Sequence, residues 1–166
     1  MTFTGFQKWQ KSGAQGFTLV ELLVVIALTV IIFLMNFTFN AYLLVDSTLD
    51  SKAHEIVENL KLAQTRSMAR YQDSQWGVYF NNVGSPQQFI VFKGNTYAAR
   101  DASYDLVTNL PSSLSFTTLT FTGGGSEVDF AKLSGNTTQS GTIVLTSNQN
   151  HTRTITISTL GVVDIN

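Results

Sequence analysis

Residues 16–28 read GFTLVELLVVIAL, and this stretch decides the fold of the chain. A polar, lysine-bearing leader ends at Gly16, and an almost purely apolar run begins at once. One carboxylate, Glu21, lies inside that run. An ionisable group in an apolar segment of membrane length costs about 2.5–3.5 kcal/mol to insert, so a functional role and a charged partner are expected for it.

The glycine, the phenylalanine and the following TLVELLVV resemble the processing and assembly signature of type IV pilins and type II secretion pseudopilins. The resemblance implies that a prepilin peptidase removes the leader, residues 1–16, and that the new amine on Phe17 is methylated. It also implies a helix that packs with other pilin or pseudopilin subunits in a filament core, where Glu21 meets the terminal amine of a neighbouring subunit. Gly16 and Phe17 are then the processing residues, and Phe17 and Glu21 the assembly residues.

The order of these features separates the leader from an ordinary secretory signal. A secretory signal has its apolar region before the cleavage site, whereas here that region follows Gly16 and is retained. Residues 17–40 are long enough, at about 1.5 Å per residue, to cross a hydrocarbon core of about 30 Å. Lys8 and Lys11 favour a cytoplasmic leader. We therefore expect a single-pass protein of the cytoplasmic membrane that contacts lipid before assembly. Its head would lie outside the cytoplasm, and later in an extracytoplasmic filament.

Residues 41–71 are predicted to continue the same helix as an amphipathic segment. Neither Pro nor Gly occurs between Phe17 and Asp73, which predicts one helix of about 55 residues and about 80 Å. One apolar stripe recurs at steps of three and four, with Val57 beside it: Leu49, Ala53, Ile56, Leu60 and Ala63. Charged residues occupy the other side, so the stripe should pack against a sheet.

Residues 72–166 change to short alternating runs of Thr, Ser, Val, Ile and Phe, separated by Gly and Asn turns. The strands predicted here are 76–80, 89–92, 115–121, 128–130, 142–145, 154–157 and 162–165. Residues 97–111 are expected to be a polar surface loop with a short element at best. The predicted fold class is α+β, with one long N-terminal helix packed on an antiparallel sheet of six to eight strands. The other face of that sheet should meet water.

The closing strands of the head, with LAQTRSMAR at residues 62–70, look like the head of the H-type pseudopilins and related minor pilins. The runs that carry this likeness are VDF (128–130), GTIVL (141–145), RTITIS (153–158) and GVV (161–163). This likeness favours a minor subunit, associated with the filament tip, over the bulk pilin.

Composition excludes several classes of function. The chain has no cysteine, which excludes a disulfide framework, a thiol nucleophile and a thiolate metal site. Its two histidines, His54 and His151, are far apart in sequence, and no phosphate-binding glycine loop, paired-histidine metal spacing or serine nucleophile elbow occurs. We therefore predict that the chain is not an enzyme and holds no cofactor. The carboxylates of the head also lack the spacing of an EF-hand calcium loop: Asp101, Asp105, Glu127 and Asp129.

Charge gives DNA weak support as a partner. The formal net charge is −1, and it falls to −3 if the two leader lysines are removed. From residue 72 onward the basic residues are Lys93, Arg100, Lys132 and Arg153, against six acids. Non-specific affinity for DNA scales with the number of phosphates neutralised. Arg100, Lys132 and Arg153 are the first candidates for nucleic-acid contact if folding gathers them.

Three functions remain open at this stage. The first is a structural filament subunit that serves secretion, adhesion, motility or DNA uptake, with Glu21 setting the axial register. The second is an adhesin or DNA-binding tip module for which the helix is only a mount. The third is an uncut, membrane-anchored module that binds a ligand or DNA.

Overall fold

The computed structural model describes residues 16–166, and within them the side chains of residues 16–34 and 46–166. The chain divides into two compact units, Met1–Asn40 and Ala41–Asn166. The predicted leader lies outside the described residues, apart from Gly16.

The prediction of one long helix is confirmed, since α1 spans Leu19–Met68, 50 residues. In the first unit its large apolar side chains from Leu19 to Ile31 are each more than half exposed. Of the segment predicted to cross a bilayer, residues 17–40, the side chains of residues 35–40 lie outside the described set. None of the helices among the described residues combines the length and the hydropathy that a membrane crossing requires.

Helix α1 ends three residues before the predicted boundary at Tyr71. A short 3-10 helix, Tyr71–Asp73, follows it, and three residues there adopt left-handed backbone: Arg70 (φ 51°), Gln72 (φ 57°) and Asp73 (φ 49°). Such conformations are uncommon without glycine. The Arg70 guanidinium bonds the Asp73 carboxylate at 2.7 Å across this bend. The chain therefore turns back from the helix without a glycine or a proline.

The predicted strands are present, and an additional one is formed within residues 97–111. The eight strands are β1 (Trp76–Asn81), β2 (Gln88–Lys93), β3 (Leu106–Asn109), β4 (Leu114–Phe121), β5 (Glu127–Phe130), β6 (Gly141–Ser147), β7 (Thr152–Ile157) and β8 (Val163–Ile165). They form two antiparallel sheets rather than one, in the orders β3-β2-β1-β5 and β4-β6-β7-β8. The fold class is α+β, as predicted.

One hydrophobic core joins the helix and both sheets of the second unit. The predicted stripe of α1 is buried in full: Leu49, Ala53, Ile56, Val57, Leu60 and Ala63. The first sheet contributes Trp76, Val78 and Phe80, and the second contributes Ile143, Leu145 and Ile155. Because both sheets bury side chains in the same core as the stripe, the amphipathic part of α1 is held by packing.

The expectation that the second face of the sheet meets water is wrong for the first sheet. Ile90 and Phe92 lie on that face and are buried. The segment between β2 and β3 covers them: the Tyr97 ring stacks on Tyr79 at 3.9 Å between centroids and meets Phe92 edge-on. The Tyr97 backbone N–H also donates to the Glu127 carboxylate at 2.7 Å. This segment is therefore an ordered cover and not a free loop.

Strand β4 contains a β-bulge that its alternating sequence does not predict. Phe116 and Phe121 are both buried, although they are five positions apart, and an odd step places two residues on opposite faces of a regular strand. The register against β6 shifts between Phe116 and Thr118. A β-bulge adds one residue and exchanges the two faces, so both aromatic rings reach the core.

Two glycines with nearly identical φ angles provide a matched test of the packing of α1. Gly161 (φ +77°) lies where a Cβ would overlap the Gln64 side chain and the Gly135 carbonyl, whereas Gly124 (φ +76°) faces open space. We expect Gly124→Ala to cost about 1–2 kcal/mol for left-handed backbone alone. Gly161→Ala should cost about 1–3 kcal/mol more, because the new methyl displaces the helix contact. Urea unfolding of the detergent-solubilised chain measures the difference, and equal costs would contradict this packing.

Candidate functional site

The start of α1 is built from its own sequence signals. Thr18 precedes the helix, and its hydroxyl accepts the Glu21 backbone N–H at 3.2 Å. The Thr18 carbonyl accepts the Leu22 N–H at 3.1 Å as the first helical bond. A threonine N-cap with glutamate three residues later has the spacing of a capping box. The carboxylate of Glu21 also lies in the first turn, where the helix dipole favours negative charge.

Gly16 and Phe17 lie outside the helix, directly before this cap. Gly16, Phe17, Thr18 and Glu21 line one hollow at the helix start. Phe17 is 81% exposed and also lines an apolar hollow with Leu22, on the N′ and N4 positions of a hydrophobic staple. The structure thus brings together all three residues predicted for processing and assembly: Gly16, Phe17 and Glu21.

Glu21 is set in an apolar surface. Leu19, Val20 and Leu22 beside it are 77%, 69% and 57% exposed. Among the residues that the structure describes, Glu21 forms no ion pair with a cation. A contiguous apolar surface of this extent on one chain indicates contact with lipid or protein. Any partner that covers it must also supply a positive charge or a hydrogen-bond donor to the carboxylate.

The three basic residues proposed for nucleic-acid contact each bind a carboxylate of the same chain. Arg100 bonds Asp105 at 2.8 Å, which raises the pKa of the Arg100 guanidinium. Its guanidinium also lies 3.8 Å from the centre of the Tyr97 ring. In the same way Lys132 lies 3.4 Å from Asp73, and Arg153 lies 2.5 Å from Asp50. The charges of Arg100 and Arg153 are therefore largely offset locally, whereas Lys132 shares its carboxylate with Arg70.

These cations also do not share one surface. Arg153 is bound near the start of the head's part of α1, through Asp50, whereas the residue after Lys132 bonds the Ser67 carbonyl. Asp50 and Ser67 are separated by about 25 Å of helix, at 1.5 Å per residue. Arg100 lies elsewhere, in the cover over the first sheet. Folding leaves the predicted nucleic-acid contacts apart.

The histidines and acids of the head have structural partners as well. His151 contacts the Asp46 carboxylate, and the His54 ring lies 2.8 Å from the Asp50 carbonyl. No group of three or more metal-ligating side chains occurs among the described residues. Asp101 accepts hydrogen bonds from Ser103, which lowers the pKa of that carboxyl. Asp101, Asp105 and Glu127 thus each accept a hydrogen bond within the head.

Comparison with known families identifies both parts of the chain. The family model described as "Prokaryotic N-terminal methylation motif" matches residues 11–35. The model described as "Type II transport protein GspH" matches residues 52–161, well over half of the chain. Searches of curated proteins and of solved structures find no match. The first match includes the start of α1. The second match includes the last part of α1 and most of the head.

The pKa of Asp129 gives a prediction on pH. Partial burial raises the pKa of this carboxyl, the Glu127 charge raises it further, and a hydrogen bond with Gln139 opposes the change. A carboxyl whose pKa is raised on folding destabilises the protein as pH rises through that range. We expect Asp129→Asn to stabilise the chain by about 0.5 kcal/mol at pH 7, after allowance for solvent screening, and not at all near pH 3.

Urea unfolding at the two pH values measures this effect. Asp164→Asn, on an exposed part of β8, removes one negative charge as the control. A gain for Asp129→Asn that persists unchanged at pH 3 would show that its cause is not ionisation.

Proposed function

The chain belongs to the GspH family of type II transport proteins, and from this premise we propose that it is a minor structural subunit assembled through its N-terminal helix into a secretion or type IV pilus-like filament. The order of the two family matches carries the proposal, because a methylation motif precedes a GspH head on one continuous helix. The coarse conclusion, a pilin-like structural subunit, follows from the family alone. The specific task of the filament, whether secretion, adhesion, motility or DNA uptake, belongs to the proposal.

We propose that prepilin peptidase cuts the chain after Gly16. Gly16 and Phe17 are not helical, and none of the described residues would crowd a Cβ on Gly16. A protease needs an extended backbone at the scissile bond, and a helix that begins at Leu19 leaves this bond accessible. Cleavage there produces an α-amine on Phe17, in the hollow that it shares with Glu21. Methylation would keep this amine positively charged.

The new amine is the partner that we assign to Glu21, on a neighbouring subunit. Within one chain, the spacing of a capping box would let the Glu21 carboxylate accept a hydrogen bond from the Thr18 backbone N–H, a neutral donor. Burial of the apolar surface against other helices removes water from the carboxylate, and a neutral donor alone does not offset the loss. The ion pair with Phe17 of the next subunit does so only in one axial register. The pair would therefore set the subunit spacing, while apolar packing supplies cohesion.

Before assembly, the same apolar surface requires lipid. We propose that the segment 17–40 is inserted in the cytoplasmic membrane with the head outside the cytoplasm, supported by the exposed apolar side chains and by the positively charged leader. The DNA-binding alternative receives no support from the head, because its candidate cations are paired and dispersed. The other alternative, an uncut membrane anchor, differs from the processed subunit because it would keep residues 1–16.

The mature N-terminus tests the processing step. We expect intact-mass spectrometry of the protein purified from its native membrane to give a chain that begins at Phe17, with the mass increment of one methyl group. Fragment ions from the head serve as the internal control for the identity of the chain. A native polypeptide that still begins at Met1 would contradict cleavage and support the uncut anchor.

Substitution of Glu21 tests the register. Glu21→Gln keeps the shape and a hydrogen-bonding group but leaves the neighbouring amine unpaired. One unpaired buried charge costs about 3–5 kcal/mol, so the fraction of chain in purified filaments should fall by at least about a hundredfold. Processing after Gly16 and membrane insertion should be unchanged.

Glu58→Gln is the matched control, because Glu58 is exposed on the same helix outside the apolar run. It should enter filaments at the level of the native chain. Normal incorporation of Glu21→Gln would refute the pairing, whatever the control shows.

A further inference from the structure

The head carries a second exposed apolar surface, which we call the helix-end surface and define as Met68, Tyr71, Leu133 and Leu160. The exposed fractions of these side chains are 47%, 48%, 66% and 66%. Met68 is the last residue of α1, and Tyr71 follows it. Leu133 and Leu160 lie in two turns that precede glycines of left-handed backbone, Gly135 and Gly161.

Contacts within the second unit hold both turns against the last turns of α1. The Leu133 backbone N–H donates to the Ser67 carbonyl at 3.3 Å, and the Gln64 side-chain amide donates to the Gly135 carbonyl at 3.0 Å. A Cβ on Gly135 would come within 2.8 Å of the Met68 side chain, and one on Gly161 would overlap Gln64. The four apolar side chains therefore belong to one region that the fold keeps in place.

The backbone of Leu133 is separate evidence that this exposed apolar surface has a function. Its backbone is left-handed (φ 67°), a conformation that glycine or asparagine adopts with less strain. A leucine in this position is unfavourable for the backbone, and at 66% exposure it gains little burial in return. Local strain that the fold does not need for its own core is a sign of function.

The charged residues beside this surface are mainly positive. Arg70 lies 2.7 Å from Asp73, and Lys132 lies 3.4 Å from the same carboxylate. The Arg66 guanidinium lies over the Tyr71 ring at 5.6 Å. Among the contacts of the described residues, Arg70 and Lys132 share one carboxylate and Arg66 forms no ion pair, in a chain whose formal net charge is −1. Asp73 is shared by two of the cations, and their charge lowers the pKa of its carboxyl.

We propose that the helix-end surface docks another protein whose own contact surface is apolar and edged by carboxylates. Carboxylates opposite Arg66, Arg70 and Lys132 would complement the excess positive charge, and apolar groups would cover Leu133 and Leu160. A symmetric contact between two copies of this chain would place the same cations opposite each other, which disfavours a homodimer through this surface. In the proposed filament the partner is a neighbouring subunit of a different kind, and to that extent the inference rests on the proposed function.

Cysteine-directed photo-crosslinking in intact cells tests the surface in the full-length chain. The native chain has no cysteine, so Leu133→Cys and Leu160→Cys each provide one attachment point for a maleimide–benzophenone probe. Val83→Cys is the matched control, because Val83 is 77% exposed in the turn between β1 and β2. We expect one protein adduct, the same from both helix-end positions, and none from Val83.

Charge reversal then identifies the chemistry of the partner. Arg70→Glu, combined with Leu133→Cys, should lower the yield of the adduct at least about tenfold, whereas Arg70→Lys should preserve it. An adduct of two copies of this chain, an adduct formed equally from Val83→Cys, or a yield unaffected by Arg70→Glu would overturn the proposal.

Leu133→Gly separates docking from folding. Because glycine adopts the left-handed backbone freely, the melting temperature should rise by about 4 °C or stay unchanged, while the adduct formed from Leu160→Cys in this background falls at least tenfold. A melting temperature that falls, with the adduct retained, would show that Leu133 serves the fold instead. If the crosslinking results contradict the proposal while Glu21→Gln is still lost from filaments, only the docking surface is refuted. If Glu21→Gln enters filaments normally, the crosslinking measurements still test the docking surface.

Discussion

One carboxylate in an apolar helix surface is the constraint on which the rest of the molecule depends. Glu21 lies among side chains that are more than half exposed, so the helix cannot be covered by apolar groups alone without leaving a charge unmatched. Among residues 16–34 and 46–166, Glu21 forms no ion pair with a cation. A partner of opposite charge has to come from elsewhere, and an α-amine created at Phe17 is the nearest chemistry that the sequence itself can supply.

The local structure around Glu21 suits both a processed and an assembled state. Thr18 caps the helix, so α1 begins at Leu19 whether or not residues precede Gly16. The proposed scissile bond, Gly16–Phe17, therefore lies just outside the helix, and cleavage there would remove none of the bonds that hold its first turn. After cleavage the positive charge would lie two residues before that turn, where it cannot bond its own helix as an ordinary cap does. In the proposed filament, contact with a carboxylate of another chain would relieve this.

Much of the architecture was predictable, because its signals are contiguous in sequence. The stripe of α1 repeats with helical period, and Gly16, Phe17 and Glu21 belong to one short motif. The spacing Thr18-x-x-Glu21 is also that of a capping box, a signal for the helix start that the structure has at this position. Alternation locates the strands but does not specify which strands pair, so the sequence predicts one sheet where the structure has two.

The features that sequence reasoning missed depend on tertiary contacts. The helix ends at a bend of left-handed Arg70, Gln72 and Asp73, residues that do not ordinarily signal such a turn. The bulge in β4 is dictated by the shared core. The partners of Arg100, Lys132 and Arg153 come from distant or irregular segments, so their charges looked available until the fold showed them paired. The helix-end surface likewise arises only when two distant turns meet α1.

The central claim is that the Glu21 carboxylate and the Phe17 amine meet across two subunits, and solid-state NMR of mixed filaments tests it most directly. Filaments would be assembled from equal amounts of chain labelled with ¹⁵N-phenylalanine and chain labelled with ¹³C-glutamate. The pairing predicts a correlation between the terminal amine nitrogen and the Glu21 side-chain carboxyl carbon, which in such a mixture arises only between subunits. Well-ordered filaments in which that correlation is missing would contradict it.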